Sequence, residues 1–230
     1  MVFNRIFEEN QIDNLENYDD INPYIAFTDL MINLILVLIF FIASITVLGK
    51  IGWEQVKYKD VQKEVKESIK SQLNDFIFDT YGSISFSQFR NDPPGAQRWV
   101  IYSQKLFEEN SYKLTKDGKT KLEKLAKVLI YHHEKTKIKY GQDKYLSYTW
   151  RRIRIEGHTK PTKIGQKENW ELSAMRAAIV ANVLTASGIP PWFISISARG
   201  GQTPFDKSLS INDPKHERVE IILEYQEKEK

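Results

Sequence analysis

Cysteine is missing from all 230 residues, so neither a disulfide framework nor a thiolate metal site is open to this chain. The absence leaves the redox compartment undecided. Histidine is scarce too: His132 and His133 are adjacent, while His158 and His216 stand alone, and no metal-ligand spacing results. No nucleophile–base pair is visible, so no bond-making chemistry is expected and the enzyme classes drop out. Basic residues are nearly absent from the first fifty positions. Arg5 and Lys50 stand there against Glu8, Glu9, Asp13, Glu16, Asp19, Asp20 and Asp29, a net of −5 in a chain whose total is +3. The remainder therefore carries +8 by difference, which suits an anionic polymer such as cell wall or nucleic acid and equally an ordinary solvated surface.

Glycine and proline are also absent between residues 23 and 49, where about 25 predominantly apolar residues follow Pro23. At ~1.5 Å rise each they reach roughly 37 Å, enough to cross a hydrocarbon core of ~30 Å with some tilt. One ionisable side chain interrupts the run, Asp29, about one and a half turns in; Asn33 follows one turn later on the same face. A carboxylate in a span costs on the order of 2.5–3.5 kcal/mol at the centre and less near the interface, so a helix keeps one where it faces protein or water. Two readings stand. Asp29 accepts protons or cations in a transport path, or it hydrogen-bonds a neighbouring helix or reaches toward headgroups. Residues 1–22 are acidic with no basic n-region, and no small-residue cleavage pattern follows the apolar run, which predicts a retained anchor.

After the span, Val61, Val65, Ile69 and Leu73 recur every four residues among Lys and Glu. This predicts a helix over 53–77 whose apolar stripe packs on something. No sustained heptad is present, so docking on the chain's own domain and a dimer contact both stay open. Residues 80–91 alternate as a strand, 92–95 form a turn, and 99–106 read as a second extended stretch. A helix opens at Thr115 and runs through Leu122, Leu125 and Leu129 to about His133; the basic, tyrosine-rich stretch 136–148 reads as a loop. A strand follows over 150–157. The next helix, 169–187, carries Leu172, Ala177, Val180, Val183 and Leu184, with Gly188 placed for its C-terminal cap and Pro190 and Pro191 preventing continuation. Strands over 193–199 and 218–225 complete the pattern. Strands alternating with two helices predict an α+β sandwich, helices on one face of a mixed sheet. The expected division is an acidic tail (1–22), a membrane helix (23–49), a linker helix (50–79) and a soluble domain (80–230).

The run from Tyr24 to Asn33, with its Phe-Thr-Asp-Leu-Met core, resembles the transmembrane helix of MotB-type stator subunits of ion-driven rotary motors. In that family an aspartate before Leu-Met carries the ion. Asp29 is the matching position, with Thr28 and Asn33 as its neighbours on the ion path. A second resemblance covers 99–226. Phe107, Ser111, Leu114 and Thr115, then Ile155-Glu-Gly-His-Thr159, then Asn169-Trp-Glu-Leu-Ser-Ala-Met-Arg-Ala177, and finally Gly188-Ile-Pro190 and Arg218-Val-Glu-Ile221 follow the landmarks of OmpA-like domains in order.

That resemblance implies binding of the peptide stem of peptidoglycan, which presents carboxylates and, in many bacteria, the ammonium of diaminopimelate. Arg176 matches the arginine that pairs with the carboxylate, and Thr159, Asn169 and Leu172 are the further wall-binding positions. Asn169 fixes the loop or donates to ligand, while His158 and Thr159 also read as holding the turn. The other reading of Arg176 is a salt bridge to Glu156 or Glu171. The family's aspartate, which pairs with the ammonium, is Lys160 here, so wall binding is expected to be weaker or altered unless another acid such as Glu168 substitutes.

The resemblance further implies a homodimer threaded through five copies of a multi-span A subunit. It carries H⁺ or Na⁺, with no cofactor, no metal and no direct contact with nucleic acid. The acidic tail and the altered Gly-His-Thr-Lys turn favour a Zorya-like anti-phage motor over a flagellar stator. A passive envelope tether is the alternative of another class. The implied place is the bacterial inner membrane, amino terminus cytoplasmic and carboxy-terminal domain periplasmic. A count of Lys50, Lys57, Lys59 and Lys63 after the helix against Arg5 before it argues the opposite orientation, but long domains translocate largely regardless of charge. Alkaline phosphatase fused to the carboxy terminus is expected to be active; activity from a cytoplasmic reporter alone would reverse the assignment.

Overall fold

The computed structural model describes residues 23–79, 92–93, 95–142, 148–162 and 169–225. The tail expected over 1–22, the strand expected over 80–91 and Glu168 lie outside them. The chain divides into two units, Met1–Gln55 and Val56–Lys230.

Helix α1 spans Pro23–Leu73 and carries two successive sequence regimes. Its first part, Tyr24–Lys50, is 27 residues and is the one described helix long and apolar enough to cross a bilayer. All its side chains except the half-buried Ser44 are exposed. The hydroxyls of Thr28 and Thr46 donate to the carbonyls of Tyr24 at 2.6 Å and Ile42 at 2.7 Å, so neither presents an unsatisfied donor to an apolar surround.

In the second unit the four-residue stripe is buried: Val61, Val65, Ile69 and Leu73 are all 5% exposed or less. The stripe packs into the domain's own core, which settles the alternative left open by its spacing. Polar pairs flank it. His132 Nε2 lies 2.7 Å from Ser68 Oγ, and Lys135 and Lys121 bond Glu64 and Asp75 at 2.6 Å each.

The sheet comprises β1 (Phe78–Asp79), β2 (Gln97–Tyr102), β3 (Trp150–His158), β4 (Ile194–Gly200) and β5 (Arg218–Tyr225), in the spatial order β1-β2-β5-β3-β4. Among the described strands only β3 and β4 run parallel, joined by the crossover helix α4 (Trp170–Ala186). The last strand thus lies in the middle. Helix α3 (Lys116–Tyr140) and α4 pack with the α1 stripe on one face, against Trp99, Ile101, Ile153, Ile155, Val219, Ile221 and Leu223. This is the mixed-sheet α+β sandwich that the pattern predicts.

Caps follow the sequence. Thr115 accepts from the Gly118 amide at 2.9 Å and starts α3. After α4, Gly188 adopts φ 108°; its amide bonds Thr185 O at 3.0 Å and that of Ile189 bonds Leu184 O at 3.1 Å, the paired closure of a Schellman motif. Two expectations need correction. The extended stretch over 99–106 ends at Tyr102 and turns into a short helix, α2 (Ser103–Leu106), because the Ser103 amide is drawn to Glu217 O at 2.9 Å and the next turn closes through Phe107 N to Ser103 O at 2.8 Å. The loop over 136–148 begins later than expected. Helix α3 continues to Tyr140, since Thr136 is buried with its hydroxyl on His132 O, and the chain first breaks at Gly141 with φ 81°.

The backbones of β3 and α4 approach closely at Gly157. A Cβ at Gly157 would stand 2.0 Å from the carbonyl oxygen of Ser173. Gly157→Ala is therefore expected to push α4 off the sheet and cost about 1–3 kcal/mol or more, read as a lowered unfolding midpoint by near-ultraviolet circular dichroism of the detergent-solubilised chain.

Candidate functional site

The two faces of the sheet differ. Odd-numbered positions of β5 and β3 meet the helices, so Glu220, Arg218, Glu156 and His158 project to the opposite face, with Arg98 beside them on β2. These charges are buried: Arg98 is 3% exposed, and Glu156, His158, Arg218 and Glu220 are at 1% or less. They persist because they answer one another. Arg98 bonds Asp92 through Nε at 2.8 Å and Nη2 at 2.6 Å, and its Nη1 reaches both Glu156 and Glu220. Arg218 bonds Glu220 at 2.5 Å and the carbonyls of His216 and Thr203 at 3.1 Å each, while Arg199 bonds Glu156 at 2.6 Å.

Glu156, His158 and Glu220 bring three ligand-type atoms within 4.8 Å. Both carboxylates are already taken by guanidiniums, so a dication there would face Arg98, Arg199 and Arg218 at close range. The donor set fits an ion-pair network rather than a metal. It titrates accordingly. Burial, reinforced by Arg218, lowers His158 from the usual 6.5 to about 3, leaving a neutral ring with Nδ1 3.0 Å from Thr203 Oγ1. Burial alone would raise Glu220, but His158 (protonated at such acidity), Arg218 and Arg98 override it and hold the carboxyl at about 2.

An open concavity lies elsewhere, where α2, the loop after it, α4 and the lead-in to β5 meet. It encloses about 370 Å³ and is lined by Ser103, Phe107, Glu108, Lys160, Arg176 and Glu217, among others. Arg176 projects from α4 with only 1% of its surface exposed. Its Nε donates to Ser111 O at 3.1 Å, and its Nη1 to Glu217 Oε2 at 2.9 Å and Ser103 Oγ at 3.4 Å. The guanidinium carbon stands 5.4 Å from the centre of the Phe107 ring. Glu217 Oε1 faces Lys160 Nζ at 3.3 Å. One carboxylate thus bridges two cations. The loop bearing Lys160 is set by Gly201, where a Cβ would come within 2.4 Å of the Lys160 carbonyl oxygen.

Of the residues singled out in the sequence, the structure brings Arg176 and Lys160 together here. Arg176 pairs with Glu217, not with Glu156 or Glu171, because Glu156 points to the far face of the sheet. Thr159 is buried, its amide on Gly200 O at 2.9 Å, and its hydroxyl has no hydrogen-bond partner among the described residues. Asn169 is exposed at the start of α4, makes no side-chain cap bond, and accepts the Ser173 amide on its carbonyl. Leu172 is half-buried. Neither Asn169, Leu172 nor Thr159 lines the concavity. Asp29, Thr28 and Asn33 lie along one part of α1, all exposed. Glu217 escaped the sequence reading: it sits between a turn and a strand with no periodic signal, and only the central position of β5 carries it to Lys160 and Arg176.

Residues 106–218 match the OmpA family. No curated protein matches the chain. Among solved structures, the periplasmic domain of Helicobacter pylori MotB is 27% identical over 57% of this chain and 84% of its own, with a TM-score of 0.43. The cell wall anchor of the T6SS from Pseudomonas aeruginosa is 19% identical over 57% of this chain and 82% of its own, also at 0.43. A MotB-like protein from Desulfovibrio vulgaris is 18% identical over 76% of this chain and 98% of its own, with a TM-score of 0.54, which is a shared fold.

Acid should unfold this domain through its buried network. Between pH 6.5 and about 3 the unfolded chain takes up a proton at His158 that the folded chain refuses, and between about 4.5 and 2 the same holds at Glu220. Both make stability fall as pH falls, by on the order of a few kcal/mol in total. Denaturant unfolding followed from pH 7 to 4 is expected to show this slope, and His158→Gln to remove its portion between pH 6.5 and 4.5.

Proposed function

We propose that the OmpA-like domain formed around residues 106–218 is the wall anchor of a single-pass, B-type stator subunit, and that Asp29 on α1 is its ion carrier. The observation that carries this reading is the placement of one carboxylate in a predominantly apolar span whose side chains, Ser44 apart, are exposed among the described residues. In a bilayer such a group requires protein or water against it, and a second copy of this chain together with a multi-span A subunit, five around two, supplies that cover. Thr28, whose hydroxyl is committed to Tyr24 O, and Asn33 flank the path. The cargo is H⁺ or Na⁺.

The domain side is supported by the concavity at Arg176. A buried guanidinium with an open cavity beside it is suited to a carboxylate of the peptide stem of peptidoglycan. With the amino terminus cytoplasmic and the domain periplasmic, rotor-side work is resisted by the wall. The acidic amino-terminal stretch and Lys160 in the His158-Thr159-Lys160 turn favour an anti-phage, Zorya-like motor over a flagellar one.

Two substitutions separate motor from tether. Asp29→Asn is expected to abolish ion flux and motor-dependent function at unchanged expression while purified chain still sediments with sacculi; retained function would leave only a tether. Arg176→Ala is expected to weaken sedimentation with sacculi at least tenfold, since a buried charge-assisted pair is worth roughly 1.5–3 kcal/mol.

A further inference from the structure

We infer that the end of the domain bearing Trp192 and the last turn of α3 docks on anionic phospholipid headgroups of the bilayer that α1 crosses. The inference rests on the membrane-span reading of α1 and is independent of what the concavity binds.

The sheet has two ends, and the contacts divide the domain between them. Tyr102, His158 and Arg218 share one end, where Lys160 and Glu217 help to line the concavity. Gln97, Trp150 and Tyr225 share the other, and β4 enters on that side, with Ile194 beside Ile153. Helix α3 runs antiparallel to the buried part of α1, since Lys121 bonds Asp75 and Lys135 bonds Glu64. Its last turns therefore reach the second end, where the His133 ring centre lies 4.7 Å from that of Trp150 and 5.4 Å from that of Phe193. The domain's part of α1 begins there too. The Tyr58 ring stands 5.8 Å from that of Tyr225, and Gln97 donates to Gln62 O at 2.7 Å.

This second end is the one the chain ties to a bilayer. The apolar run closes at Lys50, and the domain's unit begins at Val56. Such a link reaches at most about 22 Å when fully extended. Val56 thus stays within that distance of the last residue of the span, however the link is directed.

The surface there has the chemistry of a headgroup layer's partner. Trp192 is 78% exposed, on a turn set by Pro190 and Pro191 and anchored by Phe193, whose ring lies 5.3 Å from that of Trp150. Ile138 is 84% exposed in the last turn of α3, between Lys137 and Lys139. Lysines at a helix C-terminus answer the helix dipole, but the dipole gives no reason for an isoleucine in water between them. Tryptophan favours the headgroup level, and lysine lays its stem on apolar surface while its ammonium meets the phosphates. Lys59 on α1 and Arg151 on β3 are exposed at the same end. Of the acids nearby, Glu64, Glu67 and Glu134 are paired with Lys135, Lys63 and Lys137, and Asp60 is exposed. The balance is positive. Each lysine brought to an anionic membrane multiplies the docked population about fivefold.

The chain has no cysteine, so one introduced at Ile138, or at Lys113 near the concavity as reference, takes a single fluorophore. The full-length labelled chain is reconstituted in vesicles of phosphatidylcholine and phosphatidylglycerol carrying a headgroup-level nitroxide lipid as quencher. Quenching at 138 is expected to exceed that at 113 several-fold, and to fall to the same level in phosphatidylcholine alone or in high salt. Lys139→Glu is expected to lower the docked-to-free ratio about 25-fold, one charge lost and one reversed, and Trp192→Ser to lower it in the same direction. Equal quenching at 138 and 113, or quenching at 138 indifferent to phosphatidylglycerol, overturns the inference and leaves the span standing. A label at 138 shielded from an aqueous quencher yet out of reach of the lipid-borne one overturns it as well, and assigns the surface to protein such as a second copy. A chain that alkaline extraction strips from the vesicles overturns the span reading and this inference with it.

Discussion

A guanidinium taken out of water needs partners, and Arg176 finds them in segments that lie far apart in the chain. Ser103 belongs to α2, Ser111 to the following loop, and Glu217 to the lead-in of β5. Breaking a buried pair by removing one partner costs about 3–5 kcal/mol, so these three segments are tied to α4 by one side chain. The concavity exists because they are. Its floor is the Phe107 ring beside the guanidinium, and the half-exposed Lys160 forms part of its wall.

The same strand that delivers Glu217 also delivers the charges behind the sheet. Along β5, side chains alternate between the helix-packed core and a buried network centred on Arg98, Glu156, Arg218 and Glu220. Because β5 lies between β2 and β3, both networks draw on it. A buried network of this kind does not by itself add stability over a well-packed apolar face, but each of its members forbids a register in which the others would be left unpaired. That is how a short central strand with charges on one face is held in a single alignment.

The apolar part of α1 obeys the opposite rule. Its threonine hydroxyls are spent on their own backbone, its apolar side chains face outward all round, and one carboxylate is left over. Among the described residues of the domain, the buried Arg98, Glu156, Arg176, Arg218 and Glu220 each meet an oppositely charged partner. In α1 the described contacts offer Asp29 none, and the proposed stator reading is motivated by that contrast: a group that the fold does not satisfy is suited to an ion and to another subunit.

The sequence by itself determined what depends on neighbours three or four residues away. The apolar run of α1, the stripe of Val61, Val65, Ile69 and Leu73, the Thr115 cap and the glycine closure at Gly188 are all written in local spacing, because helical hydrogen bonds and caps are made between such neighbours. The α+β class was legible for the same reason, through alternation in strands and periodicity in helices. Local signals misplaced only the ends: the stretch after Tyr102 turns helical because Glu217, more than a hundred residues on, claims the Ser103 amide, and α3 outlasts its apolar pattern because buried Thr136 carries it on to Gly141. Tertiary structure alone decided that Glu217 joins Lys160 and Arg176, and that Arg98 meets Glu156 and Glu220. Those pairings are fixed by which strands lie side by side, and strand order is a property of the closed sheet that no spacing along the chain records.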